Sequence, residues 1–299
     1  MSKHAYLIMA HDNYQVLRHA LSLIDDQRNV VFLMVDQKSK NFESVSLKND
    51  LKLSPLLFLP RIEINWAGYS MIRAMLALIK TALEYKESFN YLHFLQGADL
   101  PVKSQDHIHA YFDQNQGKEF IDFSPRDYQF AKYKKCYYHL FVDNKYYRTN
   151  KAFKGANHLL ARMQKMVGLN RCSGEIIYHG SALFSITADF AGYVISKDQE
   201  LEAAYKHTLG CDEVFLQSMI MQSAYSEQIN AFEQSQRGNA RFFDLKNSEQ
   251  KNSPRIFTIN DYDLLMSLEE YICFARKFSE HKDLEVVGKI HRTIKGYDL

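Results

Sequence analysis

The first hundred residues alternate between continuous apolar runs and a segment with the spacing of an amphipathic helix. Residues 5–10 (AYLIMA) form the first apolar run, and residues 29–36 (NVVFLMVD) form the second. Unbroken runs of this length are typical of strands covered on both faces of a parallel sheet. Between them, apolar positions recur at helical spacing, at Val16, Leu17, Ala20, Leu21 and Ile24. The pattern therefore predicts a strand–helix–strand unit with a right-handed crossover.

The same alternation continues to about residue 123. Apolar runs at 56–60, 89–95 and 119–123 predict three further strands, and a long helix is expected over 70–85. Strands and helices that alternate in this way predict an α/β fold, in which helices flank a mainly parallel central sheet.

The second half of the chain is less regular. Residues 126–172 are rich in Tyr and Lys and show little periodicity, which predicts a mixture of loop and helix. Apolar spacing returns at 180–196 and again in the helix predicted after Cys211. Because no repeat, low-complexity segment or Pro/Gly-rich linker divides the chain, we expect one domain over residues 1–299, with a less regular insert at about 124–172.

Bulk composition adds few constraints. The 37 Lys and Arg residues nearly balance the 35 Asp and Glu residues, so the net charge of +2 gives no global reason to expect a nucleic-acid or membrane partner. The four cysteines form no metal-ligand spacing, which favours free thiols in a reducing compartment. The apolar run at 5–10 is too short for a signal sequence or a membrane span. We therefore expect a soluble, cytoplasmic protein, with peripheral contact at the inner face of a membrane left open.

Candidate ligand-binding residues follow the predicted strands, because open α/β sheets bind ligands beyond the carboxyl ends of their strands. His11 follows the first strand, Asp36 ends the second, and Asp99 follows the strand at 89–95. Asp36 could accept hydrogen bonds from a nucleotide, or it could be a turn carboxylate that the local backbone satisfies. Trp66, the only tryptophan, lies in a loop at the same edge, although a single tryptophan is more often a core residue.

Metal binding has little support in the sequence. A divalent cation needs several oxygen ligands, and the segment that contains Asp99 offers one carboxylate. The Asp-x-Asp at 261–263 opens an apolar helical run, so helix capping explains it better than metal binding. Without a metal, Arg255, Arg276 and Lys277 could neutralise a diphosphate, or they could be solvated surface charges.

An aromatic and basic stretch spans residues 132–154. Its members interleave along the chain: Lys132, Tyr133, Lys134, Lys135, Tyr137, Tyr138, Lys145, Tyr146, Tyr147, Arg148, Lys151 and Lys154. Such a stretch could stack single-stranded bases while following their phosphates, or it could pack against sugar rings. It could also be an ordinary surface segment. The pattern does not choose among these three interpretations.

Two adjacent carboxylates, Asp212 and Glu213, stand directly before an apolar helical run at 215–220. Both could belong to a helix start, where the backbone dipole favours negative charge. One of them could instead be a general base in a catalytic site. Local spacing is compatible with either role.

Eight short motifs run in order from about residue 4 to about residue 285. They are AYLIMAHDNYQVLRHAL, FLMVDQKS, INWAGYSMIRAMLALIKTAL, FNYLHFLQGADLPVKS, GSALFSITADFAGYVI, CDEVFLQSMI, SPRIFT and FARKF. In this order they resemble the core-2/I-branching β-1,6-N-acetylglucosaminyltransferase family, which also includes peptide O-xylosyltransferases and many bacterial members. The chain resembles a bacterial-type member.

The resemblance implies a GT-A-like nucleotide-sugar-binding fold and an inverting, metal-independent transfer from a UDP-sugar, with no cofactor. N-acetylglucosamine is the implied donor sugar, and xylose is the alternative within the same family. The implied acceptor is a glycan or a lipid-linked saccharide, and nucleic acid has no part in the reaction. A non-catalytic glycan-binding or single-strand-binding module that uses residues 132–154 is the other class of function.

The resemblance also implies residue roles. Glu213 would be the general base, which leaves Asp212 to begin the helix. Asp36 would hold the uridine, and Arg255 and Lys277 would bind the diphosphate, with His11 on the donor side. The other implied pocket-lining positions are Ala10, Trp66, Asp99, Gly180, Ser181 and Arg276.

Overall fold

The computed structural model describes residues 2–40, 42, 47–48, 50–124, 134–172, 176–231, 238–248 and 253–296, which form two sheets. The strands described are β1 (His4–Ala10), β2 (Asn29–Val35), β3 (Leu56–Phe58), β4 (Tyr91–Gln96), β5 (Asp99–Pro101), β6 (Phe120–Ile121), β7 (Phe184–Thr187), β8 (Arg241–Phe243) and β9 (Phe274–Arg276). Six of them form the central sheet in the order β3-β2-β1-β4-β7-β6. Strand β7 runs antiparallel to both neighbours, and the other pairs are parallel. The mainly parallel sheet is confirmed.

Helices flank this sheet. The helices described are α1 (Tyr14–Ile24), α2 (Tyr69–Leu83), α3 (Gln105–Gln114), α4 (Lys134–Tyr137), α5 (Tyr146–Thr149), α6 (Lys151–Met166), α7 (Ala188–Ser196), α8 (Asp198–Tyr205), α9 (Phe215–Met221), α10 (Tyr262–Met266) and α11 (Glu285–Lys295). Short 3₁₀ turns occur at Cys211–Glu213, Ala224–Gln228 and Ile259–Asp261. Of the helices described, none is both long and apolar enough to cross a bilayer.

The core lies in two layers because successive side chains of a strand point to opposite faces. Leu7 of β1 joins the apolar cluster that contains residues of α2, α7 and α9. The next residue, Ile8, joins the cluster that contains residues of α1 and α3. All seven residues of β1 and of β2 are buried, which accounts for their unbroken apolar sequences.

The strand order places a crevice at the carboxyl end of β1. The chain leaves β1 for β2 on one side, whereas β4 pairs with β1 on the other side. The loops that follow β1 and β4 therefore diverge. A place where neighbouring loops diverge in this way is called a switch point, and open α/β sheets bind ligands there.

Two strands are shorter than the apolar runs predicted. Strand β3 ends at Phe58, two residues before Pro60, which has no N–H for a ladder. Strand β6 ends at Ile121, where the backbones of Gly180 and Gly238 approach the chain closely.

The C-terminal part adds the second sheet, in the order β5-β9-β8. Its apolar cluster includes residues of α1, α10 and α11. Thr258 and Asp261 form a capping box at the start of the turn before α10. This confirms that the Asp-x-Asp at 261–263 belongs to a helix start.

The insert combines helix and loop in the part that is described, as the sequence predicts. It contains α4, α5 and α6, and its small apolar cluster is built on Leu140, Val142 and Tyr147. Lys132 and Tyr133 of the aromatic and basic stretch lie outside the described residues.

A cluster of histidines is buried between the sheet and α3. The His4 and His109 rings stack with centroids 3.9 Å apart, and the His93 Nε2 atom lies 3.1 Å from His4 Nδ1. The His109 Nε2 atom lies 2.9 Å from the Asn29 side-chain oxygen. Burial lowers the pKa of His4 and His93 well below the ordinary value, and it lowers the pKa of His109 to about 4.

We predict that the free energy of unfolding falls as the pH is lowered from about 6.5 toward about 4. The unfolded chain binds protons at these histidines in that range, whereas the folded chain does not. Urea unfolding at a series of pH values measures the slope. His109→Gln can keep a donor to Asn29 while removing one titration, so its slope should be shallower by up to about 1.4 kcal/mol per pH unit. The exposed His281→Gln is the control, and an unchanged slope in His109→Gln would contradict the prediction.

Candidate active site

A cavity of about 650 Å³ opens at the carboxyl edge of the central sheet. Ala10, His11, Asp36 and Trp66 line it, together with Gln96 from the end of β4. The structure thus brings four of the residues predicted for the pocket into one place. Its size lies within the range of nucleotide-sized and drug-sized ligand sites.

Asp36 is a turn carboxylate that the local backbone satisfies, which is one of the two interpretations that the sequence left open. Its Oδ1 atom accepts hydrogen bonds from the backbone N–H groups of Lys38 at 3.0 Å and Ile64 at 3.3 Å. Its Oδ2 atom lies 3.3 Å from the Lys38 ammonium. The carboxylate is therefore fixed by its turn, and it also forms part of the cavity wall.

Trp66 lies on the surface of the cavity and not in the core, since 59% of it is exposed. The Arg148 guanidinium stacks over its ring with Cζ 5.1 Å from the centroid, a cation–π contact. Trp66 and Tyr147 line the larger cavity and also a second cavity of about 310 Å³. The two cavities therefore share one aromatic wall.

The second cavity contains Glu213. This residue ends the 3₁₀ turn Cys211–Glu213, and its side chain is 43% exposed. The turn begins after Gly210, whose φ of 70° suits glycine and whose N–H donates to the Ala67 carbonyl at 2.8 Å. That hydrogen bond holds the glutamate turn against the Trp66 loop.

His179 orients the Glu213 side chain. Its Nε2 atom lies 3.1 Å from Glu213 Oε2, and its Nδ1 atom lies 2.9 Å from the Ser124 hydroxyl. The imidazole is almost fully buried, whereas the carboxylate reaches the cavity. No pattern in the sequence marked His179; only the adjacent Gly180-Ser181 motif pointed to this segment.

Gly180 lies so close to neighbouring backbone that a residue with a Cβ atom would force that backbone to move. A Cβ atom on it would lie 1.8 Å from the Asp122 carbonyl oxygen. Its N–H donates to the Glu213 carbonyl at 2.9 Å. The Gln217 side chain donates to the carbonyls of Asp122 at 3.2 Å and Ser181 at 2.7 Å. Gly180 and Ser181 thus support Glu213 from the sheet side.

Asp99 and Arg276 form a buried ion pair. Arg276 Nη1 lies 2.5 Å from Asp99 Oδ1, and its Nη2 donates to Gln96 Oε1 at 2.6 Å. The second Asp99 oxygen accepts from the Gln96 N–H at 2.7 Å. Only 2% of Asp99 is exposed. Both residues therefore position Gln96, which lines the larger cavity, and neither lines the cavity itself.

Lys277 and Arg255 lie outside both cavity walls. Burial and the adjacent Arg276 lower the pKa of Lys277, while Asp12 and Asp99 act in the opposite direction. Arg255 is already paired with Asp244 at 3.0 Å and Asp261 at 2.8 Å. A phosphate at Arg255 would have to compete with two carboxylates.

The insert contributes cations that sequence reasoning did not assign to the pocket. Lys145 and Arg148 line the larger cavity, and Lys154 lines the one that contains Glu213. Asp143 anchors this segment, because its carboxylate accepts from the Ser70 N–H at 3.0 Å near the start of α2. The insert is thus attached to the sheet domain beside the Trp66 loop.

Within the described part of the chain, no three or more acidic, histidine or cysteine side chains come together in a way that could hold a metal ion.

Comparison with known proteins places the chain in a family. The profile of the Core-2/I-branching enzyme family matches residues 4–264. The chain belongs to this family. It is 22% identical over 310 aligned residues to xylosyltransferase 2 of Bos taurus, which covers 98% of this chain. The chain spans 33% of that protein's length. Among solved structures, mouse xyloside xylosyltransferase 1 in its apo form matches with a TM-score of 0.40 and 11% identity, over 92% of this chain and 97% of the other.

The family match covers most of the residues proposed for the site, and the α/β architecture is the GT-A-like fold that the family resemblance implies. Glu213 and Arg255 lie inside the matched range. Arg276 and Lys277 lie beyond its end at residue 264. Their assignment therefore depends on the FARKF motif and on their position beside Asp99.

We predict that Gly180→Ala lowers the free energy of unfolding by roughly 1–3 kcal/mol, because the new methyl group overlaps the Asp122 carbonyl. Gly192→Ala in α7 is the matched control, since nothing lies within 4 Å of its Cβ position. That control should be stabilised by about 0.5–1 kcal/mol. Thermal and urea unfolding measure both variants. Equal effects in the two would contradict the close packing at residue 180.

Proposed function

We propose that the protein is a glycosyltransferase that moves a sugar from a UDP-sugar to a hydroxyl of a glycan acceptor with inversion. One observation carries the proposal. A cavity at the carboxyl ends of β1, β2 and β4 shares the wall formed by Trp66 and Tyr147 with a second cavity that contains Glu213. A donor in the first and an acceptor in the second would meet at that wall.

The larger cavity is the proposed donor site. Asp36 would accept hydrogen bonds from the uridine, and the loop of Ala10 and His11 would face the diphosphate. Backbone N–H groups hold the Asp36 carboxylate in place before a ligand arrives, so little ordering is needed on binding.

Glu213 is proposed as the general base. The acceptor oxygen would bond to the anomeric carbon while the bond from that carbon to the phosphate oxygen breaks, and its electron pair leaves with UDP. The acceptor proton would pass to the Glu213 carboxylate. A base at hydrogen-bond distance from the hydroxyl accelerates such a step, and His179 limits the rotation of this one.

Side-chain cations are proposed to stabilise the departing diphosphate without a metal ion. Lys277 and Arg255 are the assignments that the family resemblance supports. Lys145 and Arg148 support the same role by position, because both line the larger cavity. Cations placed beside the leaving group stabilise negative charge that develops in the transition state.

The donor sugar is proposed to be N-acetylglucosamine or xylose. N-acetylglucosamine follows from the resemblance to the branching enzymes. The name of xylosyltransferase 2, which aligns over 98% of this chain, favours xylose.

The test of this proposal is a screen of UDP-sugars for hydrolysis and transfer with EDTA present. We expect turnover of UDP-N-acetylglucosamine or UDP-xylose that EDTA does not reduce. Loss of activity in EDTA with recovery on added manganese would refute metal independence. RNA binding that weakens steeply with salt, without turnover of any UDP-sugar, would favour a nucleic-acid-binding module.

We predict that Glu213→Gln reduces transfer by roughly 10²–10⁴-fold while UDP affinity changes little, because the amide cannot accept the acceptor proton. Initial rates with the donor from the screen, and calorimetric titration with UDP, give the two quantities. Glu200→Gln, at an exposed position of α8, is the matched control and should leave both unchanged. Transfer at the wild-type rate in Glu213→Gln would remove residue 213 from the role of base.

A further inference from the structure

Helix α6 buries polar side chains and exposes apolar ones. On its inner side, the Asn157 Oδ1 atom accepts from the Phe141 N–H at 2.7 Å, and Gln164 Oε1 accepts from the His139 N–H at 2.8 Å. On its outer side, Leu159, Met163 and Met166 follow one another at spacings of four and three, so they share one face. Phe153 and Ala161 of α6 pack against the apolar cluster of the insert, but its two buried side chains are polar and three large apolar ones are exposed, which is unusual for a helix packed on a core.

The exposed apolar side chains continue past the end of the helix. Leu159 is 58% exposed, Met163 56%, Met166 86% and Val167 80%. We call these four residues the docking stripe. Contiguous apolar surface of this kind on a folded protein marks a site of interaction with another surface.

The segment that contains the docking stripe carries charge of one sign. From residue 144 to residue 172 the sequence contains no Asp or Glu but has seven basic residues, in a chain whose net charge is +2. The exposed members of this set are Lys145, Arg148, Lys151, Lys154, Arg162 and Lys165. Apolar side chains flanked by cations without anions complement a negatively charged surface that has an apolar interior.

We propose that α6 and Val167 form a membrane-docking face that lies in the headgroup layer of an anionic bilayer. The docking stripe would enter the boundary between headgroups and acyl chains. The flanking Lys and Arg side chains would extend to the anionic headgroups, because their long aliphatic parts tolerate the interface while their charges stay in water. Repulsion between its cations would oppose pairing of this face with a second copy of itself.

Docking in this way would also orient the candidate active site. Lys154 and His158 of α6 line the cavity that contains Glu213. A helix held in the headgroup layer would therefore place that cavity at the lipid surface. The acceptor would then be a saccharide carried on a membrane lipid, a consequence that rests on the proposed glycosyltransferase function.

The experiment is co-sedimentation of the full chain with vesicles of phosphatidylcholine alone or mixed with phosphatidylglycerol. We expect binding to the mixed vesicles, weak binding to the neutral ones, and loss of binding as salt is added. The double variant Leu159→Glu/Met163→Glu should bind the mixed vesicles at least about tenfold more weakly, because it places two charges in the apolar layer. Leu264→Glu is the matched control, since Leu264 is a 45% exposed leucine on another helix, and its binding should equal that of wild type.

Three outcomes would overturn the docking face. They are equal binding to neutral and anionic vesicles, unchanged binding by the double variant, and a wild-type dimer that the double variant abolishes without any vesicle binding.

UDP-sugar hydrolysis without vesicles separates this proposal from the proposed function. Hydrolysis by a protein that does not bind vesicles would refute docking alone, and vesicle binding without hydrolysis of any UDP-sugar would refute the transferase alone. If the double variant does not fold, the dependence of wild-type binding on lipid charge and salt still tests the proposal.

Discussion

The close approach of the Gly180 backbone to the Asp122 carbonyl is the constraint on which the candidate site depends. A Cβ atom at residue 180 would lie 1.8 Å from that oxygen, so the approach requires glycine. The same approach lets the Gly180 N–H reach the Glu213 carbonyl at 2.9 Å and places His179 Nε2 3.1 Å from the Glu213 carboxylate. One packing contact at the end of β6 thus fixes both the backbone and the side chain of residue 213.

The two cavities divide the tasks that the proposed reaction requires. The sheet supplies the rigid side, because β1 and β2 are buried along their whole length; β1 ends at Ala10, and Asp36 directly follows β2. The insert supplies the opposite side through Tyr147, which Asp143 helps to hold by its hydrogen bonds at the start of α2. Ala10 and Asp36 are therefore held by rigid strands, whereas the insert can vary without disturbing the strand order.

Local sequence patterns predicted most of the central sheet and the edge at which the larger cavity opens. They succeeded for β1, α1 and β2 because continuous burial leaves a continuous apolar run. They could not predict the ion pair between Asp99 and Arg276, since its partners lie 177 residues apart. His179 was missed for a similar reason: its contacts to Ser124 and Glu213 join three distant segments, and a single histidine carries no periodic signal. A single tryptophan is more often a core residue, but Trp66 is exposed on a cavity wall.

The distribution of positive charge links the cavity to the outer surface of the insert. Arg255 and Arg276 are paired with carboxylates inside the fold, so a diphosphate at either would compete with those carboxylates. The segment from residue 144 to residue 172 contains no carboxylate that could neutralise its cations. Lys145 and Arg148 face the larger cavity, while other cations of the same segment flank the docking stripe. We infer that a single feature, the exclusion of acidic residues from this segment, would favour a diphosphate on one side and anionic headgroups on the other.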